Sequence, residues 1–201
     1  MSEDPSKPVR GRPKTLKKAN VTDVAMRAYW ENGPAEVSLN AICQQAGVSK
    51  PSVYREFGND DGLAHAALSN YAEIVLGKVV AITQSGDDLA TKINQIAHLS
   101  AQDELHASGC LFVKMRAVKA QMGPKTQALI TQIDRMALEA FTKVLADARA
   151  TGEWSGDIPV DLGGRYLHGQ IGLALDQRAR GEDPTATLAL ALSVLHPPTA
   201  Q

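Results

Sequence analysis

Side chains that can hold phosphates and contact base edges are concentrated between positions 38 and 55 of this chain. The hydroxyl, ammonium and guanidinium groups belong to Ser38, Ser49, Lys50, Ser52, Tyr54 and Arg55, with Pro51 among them. Such groups donate hydrogen bonds, and a helix start adds free backbone N–H groups that attract anions. This pattern indicates binding to nucleic acid more specifically than any other chemistry in the sequence.

Two short helices joined by a tight turn are predicted to position these side chains. Ser38 suits an N-cap, because its hydroxyl can accept from the free N–H groups of the first turn. Gly47 can adopt the positive φ that ends a helix. Ser49 is a second N-cap, and Pro51 is tolerated in the first turn that follows. The apolar face of the first helix, at helical spacing, consists of Leu39, Ile42, Cys43 and Ala46.

A further helix is predicted upstream, ending at Gly33 and Pro34. Its apolar face has helical spacing and consists of Val21, Val24, Ala25, Ala28 and Tyr29. The three helices together are typical of a helix-turn-helix unit whose last helix enters the major groove of DNA. Val53 and Phe57 would face inward on that last helix, which leaves its polar side chains facing outward.

The stretch from Ala25 to Leu63 resembles the tetracycline-repressor (TetR) family of bacterial transcription regulators, most specifically in Gly47-Val48-Ser49-Lys50 followed by Tyr54 and Phe57. The resemblance implies that Ser38, Lys50 and Tyr54 hold phosphates, and that the residues around Pro51 and Ser52 approach base edges. It also implies a DNA-binding regulator, most simply a repressor released by a small-molecule ligand, that recognises a palindromic operator as a homodimer.

The fold class expected is all-α, with an N-terminal three-helix helix-turn-helix domain and a C-terminal helical ligand-binding and dimerisation domain. Abundant Ala and Leu favour helices throughout. The domains expected are a disordered basic arm (1–14), the helix-turn-helix domain (15–60), the effector-binding and dimerisation domain (61–196) and a disordered tail (197–201). Helices after Phe57 are predicted at 60–83, 88–100, 102–106, 110–121, 124–150, 159–180 and 184–195.

One position departs from the resemblance. The family usually has a lysine that touches a phosphate where this chain has Asp60. Asn59 can cap the helix that follows, and the carboxylates of Asp60 and Asp61 suit the positive end of that helix. We therefore expect the phosphate contact at this point to be lost and to be supplied elsewhere.

The N-terminal arm is a candidate for the missing contact. Arg10, Gly11, Arg12, Pro13 and Lys14 look like the core of an AT-hook, which lies in the narrow minor groove of A·T-rich DNA. Residues 1–57 contain nine Lys and Arg against six Asp and Glu, whereas the remainder contains twelve against sixteen. The basic end favours phosphates, although a solvated basic tail is the alternative interpretation of the arm.

The two longest predicted helices, 124–150 and 159–180, would form the dimer interface that the resemblance implies. Gly163, Gly164, Gly169 and Gly172 lie within the second of them, and each costs about 1 kcal/mol relative to Ala. Close approach between subunits would offset this cost, and packing within one chain is the alternative. Candidates for lining an effector cavity are Tyr71, His106, Cys110, Phe112, Met115, Met136, Phe141 and Tyr166.

Two other classes of function are compatible with parts of the sequence. An enzyme could use His106 and Cys110 as a thiolate pair, but no third orienting group is evident, and the histidines have no metal-ligand spacing. An adaptor that kept the helix-turn-helix and lost specific DNA binding is the other alternative, which Asp60 favours slightly. We expect no cofactor, no membrane span and, with only two cysteines, a reducing cytoplasm.

Overall fold

The computed structural model describes residues 18–102, 108–155 and 157–195, and every regular element within these ranges is a helix. The expected all-α fold class is therefore confirmed. The elements are α1 (Lys18–Asn32), α2 (Leu39–Ala46), α3 (Lys50–Phe57), α4 (Asp60–Tyr71), a π turn (Ala72–Leu76), α5 (Gly77–Thr83), α6 (Leu89–Gln102), α7 (Leu111–Ala117), a 3-10 turn (Lys119–Gln121), α8 (Pro124–Ala150), α9 (Val160–Ala179) and α10 (Thr185–Leu195).

The turn between α2 and α3 has the local chemistry that the sequence predicts. The Ala41 backbone N–H donates to the Ser38 hydroxyl at 3.2 Å, which caps α2. Gly47 ends α2 in the left-handed conformation, with φ 66°. The Ser52 backbone N–H donates to the Ser49 hydroxyl at 3.4 Å and begins α3. These contacts fix the angle at which α3 leaves α2.

α1 packs against α2 and α4, and the core of the helix-turn-helix unit continues into the core of the C-terminal helices. Val21, Ile42 and Val53 have no exposed surface, so one residue from each of the three helices anchors the unit. Phe57 closes the end of α3. The outward face of α3 therefore rests on a fixed apolar base.

The predicted helix at 60–83 is continuous but not uniform, because a π turn separates α4 from α5. By length and composition alone this segment could cross a membrane, a test that core helices of soluble proteins also pass. Leu63, Leu68 and Tyr71 have no exposed surface, because α4 packs against α1 and α8. The segment is thus the scaffold that joins the N-terminal helices to the C-terminal ones.

α8 and α9 lie side by side, and two glycines bring them close. A Cβ at Gly164 would lie 2.3 Å from the Thr142 hydroxyl, and one at Gly163 would lie 2.8 Å from Cδ1 of Leu145. Packing within one chain, the alternative interpretation of the glycines, therefore accounts for these two. A Cβ at Gly169 would meet nothing within 4 Å.

Two helix predictions need correction or lie outside the structure. The helix predicted at 110–121 is shorter, since α7 ends at Ala117 and a 3-10 turn follows. Of the short helix predicted at 102–106, residues 103–106 lie outside the described ranges. Gln102 is described and is the last residue of α6. The arm at 1–14 and the tail at 197–201 also lie outside them.

Candidate nucleic-acid interface and buried cavity

The outward face of α3 brings together the polar residues predicted to contact nucleic acid. Ser52 is half-buried, whereas the others are exposed, namely Ser49, Lys50, Pro51, Tyr54 and Arg55. The Lys50 ammonium lies 5.5 Å from the centre of the Tyr54 ring, a cation–π distance that keeps both side chains on one side of the helix. Tyr54 retains 36% of its surface exposed.

Ser38 and Ser49 stand at the starts of α2 and α3, and both are exposed. Each hydroxyl accepts from a backbone N–H through a lone pair, and the Ser38 hydroxyl keeps its own proton available for donation. The Ser49 and Ser52 hydroxyls also share a hydrogen bond of 2.9 Å. Two capped helix starts with outward hydroxyls can therefore hold anions such as phosphates.

Asp60 begins α4 beside this face and is exposed. The Gly62 backbone N–H donates to the Asn59 side chain at 2.9 Å, so Asn59 caps α4 as predicted. Burial, with a smaller contribution from the negative charge of Asp60, raises the pKa of Tyr29 to about 12. The charge of Asp60 therefore affects the pKa of a buried side chain of the helix-turn-helix unit as well as the charge of its surface.

The Asp61 carboxylate is expected from the sequence to interact with the positive end of its own helix, α4, but its hydrogen bonds are to the start of α8. The carboxylate accepts from the backbone N–H groups of Lys125 at 2.9 Å and Thr126 at 3.0 Å, and from the Thr126 hydroxyl at 2.7 Å. Although partial burial opposes them, these hydrogen bonds lower the pKa of Asp61. Asp61 thus caps α8 and ties α4 to the C-terminal helices, a contact called here the Asp61 clamp.

A second connection runs from α1 to the start of α7. The Trp30 indole N–H donates to the Gly109 carbonyl at 2.7 Å, and the Lys114 ammonium donates to the Trp30 carbonyl at 2.6 Å. The rings of Trp30 and Tyr71 meet edge to face, with centres 4.8 Å apart. The Tyr71 hydroxyl donates to the Cys110 sulfur at 3.0 Å. The helix-turn-helix unit is therefore in contact, through Tyr71, with the residue that precedes α7.

Cys110 also forms part of the wall of a cavity between α7, α8, α9 and the π turn. The cavity contains about 590 Å³ of space, counting its open mouth. Of the residues predicted to line an effector cavity, the wall includes Cys110, Phe112 and Phe141. Wall residues that the sequence analysis missed include Val75, Leu76, Arg116, Ile133, His168, Ile171 and Gly172.

The other candidate residues lie elsewhere. Tyr71 and Met115 have no exposed surface and belong to the core beside the cavity. Met136 is 50% exposed on α8, and Tyr166 packs against the core from α9 without reaching the wall. The candidates Arg10, Arg12, Lys14 and His106 fall outside the described residues.

Two basic side chains of the wall, Arg116 and His168, meet at one end of the cavity beside Asp134. The Arg116 guanidinium donates to Asp134 at 2.8 Å, and Nε2 of His168 lies 3.6 Å from the same carboxylate oxygen. Burial, more than the positive charge of Arg116, lowers the pKa of His168, although Asp134 opposes this effect. Burial likewise raises the pKa of the Cys110 thiol, the opposite of what a nucleophilic cysteine needs.

Comparisons with known proteins agree with this geometry. Residues 21–67 match the family described as bacterial regulatory proteins, tetR family. The HTH-type transcriptional repressor ComR of Escherichia coli (strain K12) is 36% identical over 64 residues, which are 32% of this chain and 30% of ComR. The HTH-type transcriptional repressor KstR2 of Rhodococcus jostii (strain RHA1) is 22% identical over 156 residues, 77% of this chain and 76% of KstR2.

A solved structure has the same fold over nearly the whole chain. It is that of a cysteine mutant of the TetR family transcriptional regulator CifR in complex with 26-bp double-strand operator DNA. Its TM-score is 0.72 at 18% identity, and the match covers 93% of this chain and 99% of that one. The shared fold includes both the helix-turn-helix unit and the helices around the cavity.

Proposed function

We propose that this chain, which belongs to the tetR family of bacterial regulatory proteins, is a transcriptional repressor that binds a palindromic operator and is released by a small molecule. The relatives compared above are transcriptional regulators and not enzymes. Binding to chromosomal DNA would take place in the cytoplasm. The observation that carries the proposal is the outward face of α3, where Ser49, Lys50, Tyr54 and Arg55 are exposed on a fixed apolar base.

A gel shift with the DNA upstream of the chain's own gene tests the proposal. We expect retention that survives excess unrelated DNA and weakens steeply as salt rises, since phosphate contacts release counterions. Retention that is equal on unrelated DNA would instead support the adaptor alternative. The sign of regulation follows from transcription of a reporter behind the same DNA, which a repressor lowers.

The homodimer is part of the proposal, and exposed apolar residues on α9 support it. Leu162 is 54% exposed and Leu173 is 44% exposed, and Gly169 between them borders open space. Their spacing of seven and four residues places them along one stripe of the helix. Met136 adds an exposed apolar side chain on α8. Such stripes are typical of protein interfaces, and a twofold axis would give the two recognition helices the symmetry of a palindrome.

Release by a ligand is proposed from the position of the cavity. Its wall includes Val75 and Leu76 of the π turn, within the same continuous helix that begins with the Asp61 clamp. Another wall residue, Cys110, accepts a hydrogen bond from Tyr71, which packs on Trp30 of the helix-turn-helix unit. A ligand that moves this wall would therefore act on both connections to the N-terminal helices.

A further inference from the structure

We infer that the cavity takes a largely apolar compound with a single carboxylate, the carboxylate pairing with Arg116 at the cavity mouth. The inference rests on the proposed function of the cavity as the effector site. It adds the chemical class of the ligand, which follows from where apolar and charged groups lie around the cavity.

The interior of the cavity favours an apolar body. Its wall is formed mainly by aliphatic and aromatic side chains from the π turn and α5 to α9, including Val79, Phe112, Ile133, Phe141 and Ile171. Apart from Arg116 and His168, the wall has two polar side chains, and both already have partners. The Ser100 hydroxyl donates to the Ile96 carbonyl at 2.8 Å, and the Cys110 sulfur accepts from Tyr71. An ion placed there would lose its hydration without compensation.

The mouth differs, because Arg116 borders both the cavity and an open surface groove between α7 and α9. The guanidinium lies 5.4 Å from the centre of the Phe112 ring, which holds it at the boundary. Gly172 makes room for it, since a Cβ at that position would lie 3.3 Å from one guanidinium nitrogen. A ligand that enters from the groove therefore passes this cation.

Arg116 also has unused capacity. A guanidinium carries five N–H donors in a fork that matches a carboxylate. Among the described residues, the Arg116 side chain donates one hydrogen bond, to Asp134. The Asp134 side chain is 45% exposed, so water can hydrate its carboxylate when a ligand takes its place. An arriving carboxylate thus exchanges one partner of Arg116 for another, while its apolar part fills the cavity.

Calorimetric titration of the full chain with octanoate, octan-1-ol and octylamine tests this class. We expect octanoate to bind more tightly than the alcohol, and the amine most weakly. Arg116→Gln should weaken octanoate roughly tenfold to a hundredfold, the effect of losing hydrogen bonds to a charged group. Asp134→Asn should strengthen octanoate, because it removes the competitor for Arg116. Neither variant should change the affinity for octan-1-ol, which also shows that the fold is intact.

The opposite signs separate this inference from a merely structural ion pair, for which both variants would weaken all three compounds alike. That result would overturn the inference, as would equal affinity for octanoate and octan-1-ol or heat from none of the three. Operator binding without ligand is measured in parallel by gel shift. Loss of carboxylate preference with operator binding intact rejects only the ligand class, whereas absent operator binding rejects the proposed function itself.

Discussion

The Asp61 clamp gives the sharpest prediction about stability. Asp61→Asn keeps the shape of the side chain but removes its charge and replaces one acceptor oxygen with a donor. That donor would face a backbone N–H of α8, where Lys125 and Thr126 now donate at 2.9 and 3.0 Å. Loss of a helix cap costs about 0.5–2 kcal/mol, and a hydrogen bond to a charged group is worth about 1.5–3 kcal/mol.

We expect Asp61→Asn to lower the free energy of unfolding by about 1–2 kcal/mol, because water can reach the exposed Lys125 and replace part of what is lost. Urea unfolding followed by circular dichroism at neutral pH measures this. The pKa of Asp61 is lower in the folded chain than its ordinary value. The stabilisation is therefore complete above about pH 4 and is lost as the pH falls through the folded-state pKa. The difference between variant and wild type should shrink over that acid range.

Asp88→Asn is the matched control. Asp88 caps α6 by accepting from the Thr91 backbone N–H at 2.7 Å, a cap of the same kind that joins no two domains. Both variants should lose stability, but only Asp61→Asn should also change operator affinity in the gel shift. Unchanged stability of Asp61→Asn at neutral pH, or a loss that persists undiminished in acid, would refute the assignment of the clamp to the charged carboxylate.

Three further predictions concern binding and assembly. Tyr54→Ala should weaken operator binding about tenfold or more, and to a similar degree on related sites, as expected for a lost hydrogen bond to a phosphate. Unchanged affinity in a gel shift would mean that α3 does not dock as proposed. Leu173→Glu should yield monomers in sedimentation equilibrium. The control variant Leu190→Glu, at a 66% exposed residue of α10, should remain dimeric. If both variants are dimers, the dimer interface does not include this face of α9. Deletion of residues 1–14 should lower affinity most for operators with A·T-rich flanks, and equal loss on G·C-rich flanks would indicate plain charge attraction instead.

What the sequence predicts well is determined within a few residues of the chain. The caps at Ser38 and Ser49 and the left-handed Gly47 depend on neighbouring backbone, so local patterns identify them. The bounds of α8 follow in the same way from Pro124 and from Thr151 and Gly152 beyond its end. The resemblance then extends this local evidence to a fold.

What the sequence does not reveal depends on contacts between distant helices. From the sequence, Asp61 is simply an acidic residue in the first turn of its own helix, yet its hydrogen-bond partners are more than sixty residues away. Arg116 and His168 belong to the cavity wall because α7, α8 and α9 converge there, which no periodicity expresses. Met136 has helical spacing with core residues but lies on the exposed side of α8. The sequence likewise does not indicate which helix Gly163 and Gly164 pack against.

The π turn at Ala72–Leu76 has a geometric consequence for the helix that contains it. A π turn accommodates one residue more than an α turn, so the two ends of the helix from Asp60 to Thr83 are out of phase by one residue. Removing that surplus would turn one end against the other by about 100° and shift it by about 1.5 Å. Asp61 could not follow such a screw motion and still reach Lys125 and Thr126. The Asp61 clamp therefore fixes the N-terminal end of this helix in the phase that the π turn gives it.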